Sequence, residues 1–188
     1  MPIARRLGIT DTTAEILDDI HILTLSISSH PRCSPQMISD LAASLYSKIE
    51  SLKLQSMPDS DAELLAEQLH IESTVRSAAL IYTSSIYRLQ FFSAFDDKSV
   101  QKSLVVSLLA VNLTRWKQIP GILLFTLLCA VPWTSNELEG RFIRRKMAVT
   151  GLSIGLEDFD LSISYLRSFW LVQRWILEQQ EPQVAEAK

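Results

Sequence analysis

The sequence predicts an all-α single domain, an array of about seven helices. Three observations carry this. Glycine is scarce, 5 in 188 residues, while Leu, Ile, Ala and Ser are abundant, a composition that suits helices better than a turn-rich β fold. Apolar residues recur at spacings of three and four in one segment after another, with short polar breaks between them. No segment alternates as a half-buried strand would, and no repeat period or low-complexity linker interrupts the chain.

The elements follow in order. Asp11 or Thr12 is the expected first cap, with Glu15 as capping partner of Thr12. Ile16, Ile20, Leu23 and Ile27 then line one helix face. "SSHPRCSP" breaks the pattern. Ser34 caps a second helix, with Pro35 at its first position and Ile38, Leu41, Leu45, Ile49 and Leu52 inward. After "MPDSD" a long helix is expected from Ala62 to Phe92, with the stripe Val75, Ala79, Tyr82, Ile86 and Leu89. Asp97 or Ser99 starts "VQKSLVVSLLAVNLTRW", read as one helix. Pro120 opens and Pro132 closes the apolar stretch "IPGILLFTLLCAVPW". Ser135 caps "NELEGRFIRRKMAVTGL". A last helix runs from about Glu157 to Glu178. The helical domain is thus residues 1–178, and 179–188, with Pro182, is expected to be a polar, disordered tail.

Totals restrict the function. The formal net charge is −3, with 47% hydrophobic and 21% charged residues, a globular balance without the basic surplus of a broad nucleic-acid binder. Cys33 and Cys129 share no CxxC spacing, so neither a zinc site nor a disulfide is expected of them. The Arg-containing N-terminus has no apolar core behind it and does not read as a secretory signal. The apolar run Ile119 to Trp133 is shorter than the about 20 residues a membrane span needs. It reads as a helix surrounded by other helices.

Few residues suggest chemistry. His21, His30 and His70 form no shared motif, and His21 reads as a flank residue. Asp18–Asp19 and Asp96–Asp97 read as a solvated flank and a helix start. No Gly-rich phosphate loop or GxSxG elbow occurs, so no catalytic residue, metal or cofactor is expected. Glu72 and Arg76 stand four apart in the favourable order for a helix ion pair. They are a boundary pair or, alternatively, a pair facing a cleft. Arg141, Arg144, Arg145 and Lys146 form a basic cluster, read as a charged helix face after Glu137 and as a candidate partner surface. Trp116, Trp133, Trp170 and Trp175 read as core and wall. Arg174 and Trp175, near the chain end, are the candidate partner anchors, Trp175 being expected to be freer than Trp170. The alternative is that Trp175 packs on the core.

Three segments together resemble the regulatory domain of the fungal zinc-cluster transcription factors, the fungal-specific transcription factor domain. "VRSAALIYTSSIYRLQ" is similar to the family's Arg-x-Ala-Ala-Leu-Ile-Tyr helix, through Arg76, Ala78, Ala79, Leu80, Ile81 and Tyr82. "QIPGILLFTLLCAV" resembles its Leu-Pro-Gly-x-Leu-Leu-Trp helix, through Pro120, Gly121, Leu123 and Leu124, with Phe125 where Trp often stands. The third runs from "GRFIRRK" to "GLEDFDLSISYLRSFWLV". There Arg141, Phe142, Glu157, Asp158 and "RSFW" fit, and Leu156 stands where Trp is frequent.

The likeness spans about Gly8 to Leu177. It implies a nuclear, non-enzymatic domain that regulates transcription through a protein partner, either a DNA-binding factor or a second copy, with a small-molecule effector as a further partner. The family's zinc cluster needs six cysteines. Two are present here, so the resemblance implies the regulatory half without the DNA reader, as part of a longer factor or as a stand-alone relative. This chain itself is expected to bind neither zinc nor DNA. The competing classes are an enzyme built in a helical bundle and a membrane-associated helical protein.

Overall fold

The computed structural model describes residues 7–28, 33–52, 62–132, 140–141, 143–149 and 159–186. These residues form helices and no strand, in agreement with the all-α expectation. In chain order they are α1 (Asp11–Ser28), α2 (Pro35–Ser51), α3 (Ala62–Tyr87), a 3-10 turn (Phe92–Ala94), α4 (Lys98–Ala110), α5 (Leu113–Gln118), α6 (Pro120–Ala130) and α7 (Phe159–Glu186). Residues 143–149 are also helical. Ser135, Glu137 and Trp133 lie outside the described residues, as do His30, Phe142, Leu156, Glu157 and Asp158.

Several starts follow the predicted chemistry. The Ser34 side chain accepts from the Met37 N–H, with Pro35 at the first helical position. Asp97 accepts from the Ser99 and Val100 N–H groups and opens α4. Pro120 opens α6, and the chain turns at Val131 and Pro132.

The first cap departs from expectation. Thr10, rather than Asp11 or Thr12, accepts from the Thr13 N–H at 3.1 Å. Its hydroxyl proton goes to Glu72 Oε2 at 2.7 Å, so Thr13 Oγ1, 2.8 Å away, must be the donor to Thr10. Glu15 is no capping partner. It pairs with Lys48 on α2 at 2.7 Å, beside Asp19 at 2.8 Å. The Glu15 contact is solvent-exposed and contributes about 0–1 kcal/mol, and the Asp19 contact is partly buried. Just before the cap, Gly8 has φ +61°, a left-handed conformation that favours glycine. Its carbonyl accepts from Arg115 Nη2 at 2.7 Å, on α5.

Two predicted helices are shorter than the patterns implied. The third ends at Tyr87 rather than Phe92. Leu89 adopts φ +50°, the Gln90 N–H reaches back to Ser85 O and the Leu89 N–H to Ile86 O. This is a Schellman stop with leucine where glycine is usual, so the sequence carried no stop signal. Gln180 on α7 donates its side-chain amide to the Leu89 carbonyl, holding the strained residue from outside. The run after Asp97 splits in two because Asn112 accepts from the Thr114 N–H and caps α5 afresh. At the other extreme α7 extends through Pro182 to Glu186, where a disordered tail was expected. Its side chain Gln180 is already anchored, and a proline removes only one backbone bond there.

Helix α3 is the axis. It packs against α1, α2, α4 and α6, and from Ile71 to Ile86 every residue but Ser73 and Arg76 is buried. Its serines and threonines are not a solvent face. Thr74 and Thr83 return their hydroxyls to the His70 and Ala79 carbonyls at 2.7 and 2.8 Å. Ser107 of α4 donates to Ser73 at 2.9 Å, and Ser103 lies 3.3 Å from both Ser73 and Ser77. Short side chains with local acceptors let α3 and α4 approach closely. α6 is enclosed as predicted, Ile122 to Leu127 and Cys129 being buried. No helix among the described residues is long and apolar enough to cross a membrane.

Replacing Thr10 by Ala removes a cap and strands a carboxylate that is only 3% exposed. The expected cost in denaturant melts is about 1–3 kcal/mol. In a double-mutant cycle Thr10→Ala and Glu72→Leu should together cost less than the sum of the single changes, and strict additivity would show that the two groups are uncoupled.

Candidate functional site

The residues that pattern reading singled out do not converge. Glu72 and Arg76 form no ion pair. Glu72 is spoken for by Thr10, and Arg76 donates to the Glu50 carbonyl at 2.7 Å, bracing α3 against the end of α2. Both contacts join α3 to another segment of the fold, and neither residue lines the cleft described below. Arg141 and Arg145 are exposed, as is Arg144, while Lys146 is half-buried and its amine is held below the ordinary lysine range by that burial.

The two terminal tryptophans reverse the expected order. Trp175 is 3% exposed and belongs to the core, as the alternative reading held. Trp170 is 62% exposed. The cause is helical phase. Phe169, Val172 and Ile176 set the inner face of α7, and Trp175 falls beside them whereas Trp170 falls opposite. On that outer face Leu166, Trp170, Arg174 and Leu177 are all exposed, at spacings of four, four and three. Arg174 lies over the Trp170 ring at 5.7 Å and pairs with Glu178 at 2.7 Å.

What the fold does assemble is a cleft between α1, α3, α6 and α7. Leu17, Ile20, His21 and Thr24 come from α1 and Tyr82 from α3. Ile122 and Phe125 come from α6, and Ser164, Tyr165, Ser168 and Phe169 from α7. The floor is aromatic. The Tyr82 ring stands edge-on to Phe125 at 5.8 Å and to Phe169 at 5.6 Å, and it stacks on Phe92 at 5.8 Å. Thr24 gives its proton to the Ile20 carbonyl at 2.7 Å, so the Tyr82 hydroxyl, 2.8 Å away, is the donor to Thr24 Oγ1. Burial pushes the Tyr82 phenol above the ordinary tyrosine range, against a weaker opposite pull from Thr24. Burial alone raises the nearby Cys129 thiol and the Tyr165 phenol. All three groups are therefore neutral at physiological pH, and Cys129 is an inert core thiol.

Sequence reasoning missed this cleft. His21 read as a flank residue, and it is indeed exposed, but it lies at the cleft mouth. Tyr165 and Ser168 carried no signal at all. One feature was legible. Gly121, beside Pro120 at the first turn of the apolar helix, reads from the sequence as a packing position where a missing Cβ lets another helix approach closely, and a Cβ there would lie 2.8 Å from Tyr165 Oη and 3.3 Å from Cζ. The glycine makes room for the Tyr165 hydroxyl.

No protein-family model, curated protein or solved structure matches this chain.

Two outcomes follow from this geometry. Gly121→Leu should destabilise by about 1–3 kcal/mol through overpacking. Gly121→Ala should cost less, and Tyr165→Phe in the same chain should restore part of the loss; denaturant melts in which Leu is as harmless as Ala would remove the contact from consideration. Likewise Trp175→Ala should cost about 3–5 kcal/mol, whereas Trp170→Ala should stay within about 0.5 kcal/mol. Equal melting temperatures for the two variants would contradict the assigned faces of α7.

Proposed function

We propose that the chain is a non-enzymatic regulatory domain that modulates transcription through protein contacts, in the manner of the regulatory domain of fungal zinc-cluster factors. One observation supports the reading. The three segments that carry the resemblance are far apart in sequence, yet Tyr82 of the first, Phe125 of the second and Phe169 of the third adjoin one another at a single cleft, with Gly121 of the second against Tyr165 of the third. A common helical framework accounts for that convergence, because those positions must meet for α3, α6 and α7 to pack.

On this reading the domain works in the nucleus. It reaches DNA through a partner, either a DNA-binding factor or a second copy of itself. The contact face is the outer side of α7. Aromatic and arginine side chains dominate binding hot spots, and Trp170 with Arg174 across its ring supplies both. Arg141 and Arg145 provide an exposed basic surface suited to steering an acidic partner.

The test is a fusion of the full chain to an unrelated DNA-binding domain, assayed with a reporter gene in a fungal host. The expected outcome is a severalfold change in transcription that the Trp170→Ala, Arg174→Ala double variant abolishes at unchanged thermal stability. A fusion that stays at baseline, from a chain that tagging finds outside the nucleus, overturns the proposal.

A further inference from the structure

The cleft encloses about 380 Å³, inside the range of about 300–1,000 Å³ typical of small-molecule sites. Its chemistry is selective. Among the described residues that line it there is no Asp, Glu, Lys or Arg. An ionised ligand would lose its hydration there and meet no carboxylate, ammonium or guanidinium group, with only the His21 imidazole at the mouth to face it, a costly exchange. The floor offers the rings of Tyr82, Phe125 and Phe169, with centroids 5.6 to 6.2 Å apart and tilted to one another, so a flat aromatic guest meets both ring faces and ring edges.

The polar groups differ in what they have left to give. The Tyr82 and Thr24 hydroxyl protons are both committed, to Thr24 and to the Ile20 carbonyl. The Ser168 proton is committed to the Ser164 carbonyl at 2.9 Å. The Tyr165 hydroxyl, half-buried against Gly121, has no hydrogen-bond partner among the described residues. His21 stands exposed at the mouth. The wall thus presents a phenol, an imidazole and the Ser164 hydroxyl with unused capacity above an apolar floor.

We infer that this cleft binds an uncharged, flat, largely aromatic small molecule. Its rings lie against Tyr82, Phe125 and Phe169, and its one polar group hydrogen-bonds to Tyr165 Oη and the His21 ring. The site stands whether or not the chain regulates transcription. Binding in vitro beside an inert reporter fusion and a chain found outside the nucleus would keep the cleft and retire the regulatory reading.

The probe is N-phenyl-1-naphthylamine, a neutral aromatic amine whose fluorescence rises in apolar surroundings. Its comparator is 8-anilinonaphthalene-1-sulfonate, the same skeleton bearing a sulfonate. The neutral dye should bind the full chain saturably with one-to-one stoichiometry, and the sulfonate at least about tenfold more weakly. Ser168→Phe, which puts a ring into the cleft, should weaken the neutral dye by at least about tenfold with an unchanged melting curve. Tyr165→Phe should weaken it about two- to tenfold, as loss of one hydrogen bond does. In the wild-type chain the Ile20 and Ile122 methyl resonances should shift on titration, and those of the exposed Val106 and Leu177 should not.

Non-saturable uptake, equal affinity for the sulfonate, or full binding by a folded Ser168→Phe chain would overturn the inference. If Ser168→Phe does not fold, the wild-type methyl titration decides: shifts at Val106 or Leu177 without shifts at Ile20 and Ile122 place the dye on the surface and refute the site.

Discussion

Five elements of this protein meet at the side chain of Tyr82. Its ring stands on α3 and touches Phe92 of the 3-10 turn, Phe125 of α6 and Phe169 of α7, while its hydroxyl is bonded to Thr24 of α1. Buried aromatic pairs contribute about 0.5–1.5 kcal/mol each beyond the area they remove from water. The hydroxyl is a constraint as much as a contact. A phenol this deeply buried must find an acceptor or lose about 1–3 kcal/mol, and Thr24 accepts here with its own proton turned back to the Ile20 carbonyl. The register of α1 against α3 is thereby set at a polar point inside a largely apolar contact, with the Thr10–Glu72 bond as a second polar point at the start of α1.

The same residue explains why a cleft exists. Tilted rings leave more space between them than interdigitating aliphatic chains do. Where α7 borders the cleft beside Tyr82 and Phe125, its lining residues are Ser164, Tyr165, Ser168 and Phe169. Two serines are too small to fill the gap, and Tyr165 is drawn aside into the space left by Gly121. The result is a hollow with an aromatic floor and a sparse polar rim, set between helices that are elsewhere tightly packed.

Polar residues mark the limits of pattern reading here. Glu72 and Arg76 stood at ideal spacing for each other, yet each is satisfied by another element, Thr10 and Glu50 respectively. A one-dimensional spacing rule ranks the nearest partner along the helix. Burial ranks the partner that restores a lost hydration shell, and that partner can lie 62 residues away. Ser73 and Ser77 of α3 make the same point, since their hydroxyls meet Ser103 and Ser107 of α4.

The sequence by itself determined the helical class, the enclosure of the Pro120 helix, its start at that proline and the cap at Ser34, and it narrowed the start of α4 to Asp97 or Ser99. It also made Gly121 a packing position. These are local matters: periodicity, capping hydroxyls and proline geometry act over a turn or two, so neighbouring residues report them. Only the tertiary structure decided the stop at Leu89, held by Gln180 from α7, and the faces taken by Trp170 and Trp175. The gathering of His21, Tyr82, Phe125 and Tyr165 around one cleft was decided there too. Each depends on the angle at which one helix meets another. That angle follows from the packing of many side chains at once, and no window of the sequence contains it.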